Sequence, residues 1–79
     1  MLQAPRSPTG ELIPGLELHR LVKAGFVAQG TTLEAHCRDV ERYHPSNGYR
    51  ALLGEWDGPK ARRLRRRLAH AAGLLEAAS

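Results

Sequence analysis

Glycine and proline divide this chain into short segments, and their spacing limits what the chain can fold into. Positions suited to start or end a helix recur at Pro14, Gly30, Pro45, Gly54, Pro59 and Gly73. Proline fits the first turn of a helix, and glycine commonly follows the last turn. No segment shows the alternation of apolar and polar residues that is typical of a strand. The pattern predicts a compact all-α fold of four to five short helices.

The first predicted helix begins near Gly15 and ends at Gly30. Its apolar residues are spaced by three and four, which indicates one buried face formed by Leu18, Leu21, Val22 and Phe26. Gly25 costs a helix about 1 kcal/mol relative to Ala, so a neighbouring backbone is expected to approach closely there. Residues 1–14 contain three prolines and are interpreted as a flexible arm.

The second and third helices are predicted from their capping signals. Thr31 and Glu34 have the spacing of a capping box, which predicts a helix over residues 32–41. Its inner face is expected to comprise Leu33, His36, Cys37 and Val40. Pro45 then opens a third helix, capped by either His44 or Ser46, and Gly54 ends it. Trp56 follows in a linker and is expected to fill the core beside Leu53, Phe26 and Leu64.

The fourth helix is predicted to begin at Pro59 and to carry an apolar seam with steps of three and four residues. The seam consists of Ala61, Leu64, Leu68, Ala71 and Leu75. The arginine run beside it is assigned to positions off the seam: Arg62, Arg63, Arg65, Arg66 and Arg67. Such a run is open to three interpretations, namely phosphate contacts, a solvated face, or a surface for an acidic protein.

Charge is distributed unevenly and points to an acidic partner. Residues 58–75 hold six basic side chains and no acidic one, whereas residues 1–57 hold six basic and seven acidic ones. The net charge of +4 therefore originates in the C-terminal segment. Nucleic acid is the first partner to consider for such a segment. Like charges at Arg62 and Arg66 repel each other on one helix face, and bound phosphates would offset that cost.

Other functional classes find little support in the sequence. The single cysteine, Cys37, cannot form an internal disulfide, which favours a reducing cytoplasm, and no apolar run is long enough for a membrane span. His36 and Cys37 lack a second ligand pair at zinc-site spacing, so no metal is expected. No catalytic cleft is evident in a domain of this size, so we expect neither an enzyme nor a cofactor.

These features resemble the lambda-repressor-like helix-turn-helix family, which includes the Cro repressors and many small phage and prophage regulators. The resemblance covers residues 16–75. It rests on Gly30, the Thr-capped helix 31–40, the Ala51-Leu52-Leu53-Gly54 ending and the Pro59-started helix. The chain departs from the pattern at Val40-Glu41-Arg42, where the family usually has glycine and an aliphatic residue. It also departs in a turn about one residue longer and in Gly48 within the third helix.

The resemblance implies a DNA-binding domain over residues 15–79, with its third helix in the major groove. The side chains expected to read bases are Ser46, Asn47, Tyr49 and Arg50. Arg50 suits a guanine edge and Asn47 an adenine edge, whereas Tyr49 either contacts DNA or packs on the second helix. Phosphate contacts are expected from His44 at the helix N-terminus and from Lys60, Arg62 and Arg63.

The resulting hypothesis is a phage or prophage transcription regulator that occupies a double-stranded DNA operator as a homodimer. It would work in the bacterial cytoplasm, at the nucleoid. The main alternative is a small phage-type protein that binds and inhibits a host protein through its basic helix. RNA binding ranks lower because few aromatic side chains are available for stacking on bases.

Overall fold

The computed structural model describes residues 4–74 of the 79-residue chain. Its four α-helices are α1 (Leu16–Ala28), α2 (Leu33–His36), α3 (Pro45–Leu53) and α4 (Pro59–Ala71). A π-helical turn, Cys37–Glu41, continues α2 and is called the π turn below. Within residues 4–74 the β-type pairing is limited to one isolated bridge, between Arg6 and Leu12. The predicted all-α class is confirmed.

All four helices contribute to one core. Its largest fully buried side chains are Phe26, Leu18, Leu33, Leu52, Leu64, Leu68, Val22 and Cys37. The predicted apolar face of α1 is confirmed, with Leu21 packed at its margin. The seam of α4 is confirmed as far as Ala71, which is partly buried, and Leu75 lies outside the described residues. Helical spacing therefore identified most of the core.

Two glycines allow helices to approach more closely than a side chain would permit. A Cβ atom added at Gly25 would lie 2.9 Å from the Cβ of Ala72, so α1 passes against the end of α4. This confirms the close approach expected at Gly25. A Cβ added at Gly48 would lie 2.6 Å from the Sγ of Cys37. The helix-weakening glycine in α3 is thus the residue that lets α3 pack on the π turn.

The start of α2 differs from the predicted capping box. The N-cap is Thr32, whose hydroxyl accepts a hydrogen bond from the backbone N–H of Ala35 (3.1 Å). The prediction of Thr31 as the cap was therefore wrong by one residue. Glu34 does not close the box, because its carboxylate accepts a hydrogen bond from Tyr49 on α3. That tertiary contact takes the place of the local one.

The π turn overturns the predicted inner position of Val40. In a π-helical turn each backbone bond spans five residues rather than four, so the residues that follow rotate around the axis. Val40 is consequently 63% exposed, and the Glu41 side chain takes the inner position at 10% exposure. Arg42 adopts a left-handed conformation (φ 61°) and ends the turn. The longer connection noted in the sequence is accommodated in this way.

Residues 4–14 follow a hydrogen-bonded path against the end of α3. The N–H of Ile13 donates to the carbonyl of Pro5 (2.9 Å), and the N–H of Gly15 donates to the carbonyl of Leu52 (2.9 Å). Ala4 is buried in the core. The predicted flexibility of residues 1–14 receives no support from these contacts and stays a prediction.

None of the helices in the described part of the chain is both long enough and apolar enough to cross a bilayer.

Candidate nucleic-acid interface

Helix α3 has one buried face and one outward face. Pro45, Gly48, Ala51 and Leu52 are buried. Ser46 and Asn47 are partly exposed and Arg50 is exposed. Arg50 follows Asn47 by three positions and Ser46 by four, so its side chain lies next to both on the outward surface of the helix. Three of the four residues predicted to read bases therefore share one surface.

The start of α3 is organised by His44, the first of the two predicted caps. Its Nδ1 atom accepts a hydrogen bond from the backbone N–H of Ser46 (3.1 Å). The hydroxyl of Ser46 also lies 2.8 Å from this nitrogen. His44 is thus engaged with the helix through Nδ1, which leaves Nε2 as the atom that can meet a phosphate.

Tyr49, the fourth predicted base reader, packs on the second helix. Its hydroxyl donates a hydrogen bond to the carboxylate of Glu34, and its ring meets the His19 ring edge-on with centroids 5.2 Å apart. The hydrogen bond lowers the pKa of Glu34 and raises the pKa of Tyr49 to about 12. The sequence left two roles open for Tyr49, contact with DNA or packing on the second helix, and the structure shows the packing.

The last carbonyl groups of α3 are bonded by three separate segments. The carbonyl of Arg50 accepts from the N–H of Gly54 (3.0 Å) and of Trp56 (3.2 Å). The carbonyl of Ala51 accepts from Nε of Arg65 (2.7 Å), and the Leu52 carbonyl accepts from Gly15. Carbonyls at a helix end have no partner within the helix, so these bonds hold the C-terminal turn in place.

Arg65 corrects the interpretation of the arginine run. It was assigned to the exposed side of α4 but is only 4% exposed. Its guanidinium donates to the carbonyls of Ala51 and Trp56 and to the carboxylate of Asp57, the last at 2.7 Å. The bond from Arg65 lowers the pKa of Asp57. A buried positive charge must be compensated by hydrogen-bond acceptors, and the free carbonyls at a helix end provide them.

The sequence contained a signal for the burial of Arg65. It follows Ala61 by four residues and precedes Leu68 by three, so it shares a helix face with two members of the apolar seam. An acidic residue, Asp57, stands just before the helix and can pair with it. Arginine among apolar seam residues with an acid nearby indicates an internal contact rather than a phosphate contact.

The remaining basic residues of α4 differ in their pairing. Arg67 bonds to Glu41 through Nε (2.7 Å), and Glu41 also contacts His36 (3.2 Å). Arg62 lies 3.7 Å from Asp57 and Arg66 lies 3.9 Å from Glu11, both at exposed positions. Exposed ion pairs contribute little and exchange readily, so these two arginines remain accessible to a phosphate.

Lys60 and Arg63 carry the least compensated charges of α4. Both are exposed, and neither forms an ion pair with any acidic residue between positions 4 and 74. Of the three α4 residues predicted to contact phosphates, these two can do so without breaking an ion pair. Arg62 would first have to release Asp57.

An open cleft of about 380 Å³ lies beside the outward surface of α3. Its walls are Asn47, Arg50, Glu55 and Trp56. The aromatic neighbour of Trp56 is Tyr43, with ring centroids 5.9 Å apart. The Phe26 ring, which was predicted beside Trp56, pairs with the ring of His36. Trp56 does contact the core, as predicted, but it also forms a wall of this cleft.

The residues considered as metal ligands are engaged in packing. Cys37 is fully buried, and desolvation raises the pKa of its thiol to about 11. His36 lies against Phe26 and bonds to Glu41. Between residues 4 and 74, no three side chains of His, Cys, Asp or Glu are grouped as ligands for a metal ion.

Comparison with known proteins returned no family model that matches this chain, and no curated protein or solved structure matches it either.

Proposed function

We propose that this protein is a helix-turn-helix transcription regulator of the lambda-repressor-like type, encoded by a phage or prophage. It binds double-stranded DNA in a sequence-specific way and acts by occupying an operator in the bacterial cytoplasm. The observation that carries the proposal is the outward surface of α3, where Ser46, Asn47 and Arg50 stand together over a buried opposite face.

The shape of α3 supports insertion into a groove. The B-DNA major groove admits one α-helix, and the small side chains of Ser46 and Asn47 at the start of α3 leave room for close approach. Arg50 forms no side-chain hydrogen bond or ion pair with residues 4–74. Its guanidinium is therefore free to donate two hydrogen bonds to a guanine edge.

The charges of α4 support anchoring to the DNA backbone. Helix α4 begins at Pro59, shortly after α3 ends at Leu53. The first basic residues of α4 therefore follow the proposed reading helix closely in sequence: Lys60, Arg62 and Arg63. Phosphate contacts of this kind give affinity and orientation without sequence preference. We assign the reading of sequence to α3 and the non-specific affinity to the start of α4.

Operator occupancy is proposed to involve a homodimer on an inverted repeat. A single module of this size buries limited DNA surface, and helix-turn-helix proteins commonly gain specificity by pairing two half-sites. The measured operator should then show two related half-sites about one helical turn apart. Selection of duplexes from a random pool would reveal that spacing directly.

A salt titration with three variants tests this proposal. Binding of the selected duplex should weaken steeply with salt, by about 0.9 log units per log unit of salt for each phosphate contact. Arg50→Ala should lose discrimination at one base pair, by roughly 1–3 kcal/mol. Arg63→Ala should weaken all duplexes alike and reduce the salt slope by about 1.

Arg20→Ala is the matched control, because it removes one exposed positive charge from α1. It should change affinity less than either other variant. Failure of the wild-type protein to bind any duplex at about 50 mM salt would refute the proposal. A single stoichiometric protein captured in its place would favour the alternative of a host-protein inhibitor.

A further inference from the structure

We propose that Trp56 is an additional specificity-determining residue, whose indole contacts the methyl group of a thymine beside the base pair read by Arg50. This inference rests on the proposed function and extends it to a residue outside α3. The sequence led us to expect Trp56 in the core. The structure places it at the boundary between the core and the cleft.

The first support is the composition of the cleft. Trp56 shares it with Asn47 and Arg50, two of the residues proposed to read bases. A base edge that enters this cleft beside Arg50 would also lie next to the indole. Aromatic side chains present a large contact area, and this one is only partly buried.

The second support is that Trp56 is held in place before any ligand arrives. Its backbone N–H donates to the carbonyl of Arg50 (3.2 Å), and its own carbonyl accepts from Arg65 (3.4 Å). Tyr43 packs against its ring. A side chain ordered in advance loses little conformational freedom on binding, so its contacts contribute more to affinity.

The third support is the chemistry of the groove. Base edges in the major groove present hydrogen-bonding groups and one apolar group, the C5-methyl of thymine. An indole wall next to Arg50 and Asn47 therefore matches thymine. Glu55, the remaining wall, carries a negative charge that disfavours phosphate in the cleft. Base edges are thus the part of DNA that the cleft accommodates best.

Intrinsic fluorescence tests the contact in the unmodified protein, because Trp56 is the single tryptophan of the chain. The full-length protein is titrated with the duplex selected from a random pool, and with an unrelated duplex at the same salt concentration. We expect the selected duplex to change the emission and to protect the indole from quenching by acrylamide. The unrelated duplex should have a smaller effect.

Replacement of single thymines by uracil identifies the methyl group. At the contacted position, loss of the methyl should weaken wild-type binding about fourfold, the equivalent of one buried methyl group. The same replacement should have no effect on Trp56→Ala, and an intermediate effect on Trp56→Phe. This double comparison isolates the contact. Val27→Ala, which shortens an exposed apolar side chain on α1, is the control and should retain the fourfold difference.

The outcomes separate the inference from the proposed function. If no duplex binds the wild-type protein, the proposed function fails and the inference fails with it. If duplexes bind and Arg50→Ala loses discrimination, but the Trp56 emission and acrylamide quenching are unchanged, the inference alone is overturned. A thymine-to-uracil penalty that persists in Trp56→Ala would also overturn it. Should Trp56→Ala fail to fold, the wild-type fluorescence still decides.

Discussion

Replacement of Arg65 by alanine tests whether a residue of the arginine run maintains the fold. The change removes a guanidinium that is 4% exposed and bonds to two backbone carbonyls. It leaves the carbonyl of Ala51 without its partner near the end of α3. We expect Arg65→Ala to lower the free energy of unfolding substantially.

The magnitude follows from the bonds that are lost. A hydrogen bond to a charged donor is worth about 1.5–3 kcal/mol when buried, and the 2.7 Å bond to Ala51 is of this kind. The longer bond to Trp56 and the buried aliphatic stem add to it. The ion pair with Asp57 contributes little to the free energy of unfolding, because that carboxylate is exposed. The sum is about 3 kcal/mol, a large share of the roughly 4–12 kcal/mol expected for a domain of this size.

Urea denaturation followed by circular dichroism measures this loss. A decrease of about 3 kcal/mol would also lower the melting temperature by more than about 10 °C. Arg65→Lys should lose roughly half as much, because a lysine can replace one of the bonds but lacks the planar fork. The control is Arg66→Ala, whose side chain is 69% exposed and should matter by less than about 0.5 kcal/mol. Equal losses in Arg65→Ala and Arg66→Ala would refute the reasoning.

Three further predictions concern the contacts around α2, the π turn and α3. Gly48→Ala should lower the free energy of unfolding by about 1–2 kcal/mol, because the added Cβ would lie 2.6 Å from the Sγ of Cys37. This clash outweighs the helix preference of alanine. Urea denaturation should show a smaller decrease when Gly48→Ala is combined with Cys37→Ala. Tyr49→Phe should cost about 1 kcal/mol near neutral pH. That difference should shrink as pH falls through the lowered pKa of Glu34, and again as pH rises toward the raised pKa of Tyr49 at about 12; a pH-independent difference in urea denaturation would contradict this. The pKa of the buried Cys37 thiol is raised to about 11. At about pH 8 the thiol should therefore react slowly with an aromatic disulfide reagent in the folded protein and rapidly in denaturant. Equal rates in the two conditions would contradict this prediction.

Local patterns in the sequence were sufficient to predict much of the fold. Helix α3 begins at Pro45 and is ended by Gly54, as expected. The fixed φ of proline suits the first turn of a helix, and glycine tolerates the left-handed conformation after the last turn. The core positions Leu18, Leu64 and Leu68 followed from helical spacing alone. These features depend on each helix by itself and need no knowledge of its neighbours. The outward placement of Arg50 was expected from the family resemblance and agrees with its exposure in the structure.

Features that depend on tertiary contacts were missed. Glu34 was assigned to a local capping box, but a hydrogen bond from α3 competes for its carboxylate. Val40 was placed inward, because a regular helix was assumed where the chain forms a π turn. Arg65 was read as a surface charge, although a neighbouring helix end offered it carbonyls. For Glu34 and Arg65 a partner on another helix decided the outcome, whereas Val40 was displaced by the local change from an α-helix to a π turn.

The bonding at the end of α3 has a consequence for how the chain folds. The donors come from Gly15 before α1, from Gly54 and Trp56 in the adjacent loop, and from Arg65 in α4. None of these bonds except those from the adjacent loop can form until distant segments have met. The last turn of α3 should therefore be less stable in an isolated peptide than in the folded domain. In a hydrogen-exchange experiment the Gly15 amide should be protected in the folded protein, because its bond to the Leu52 carbonyl must open before exchange.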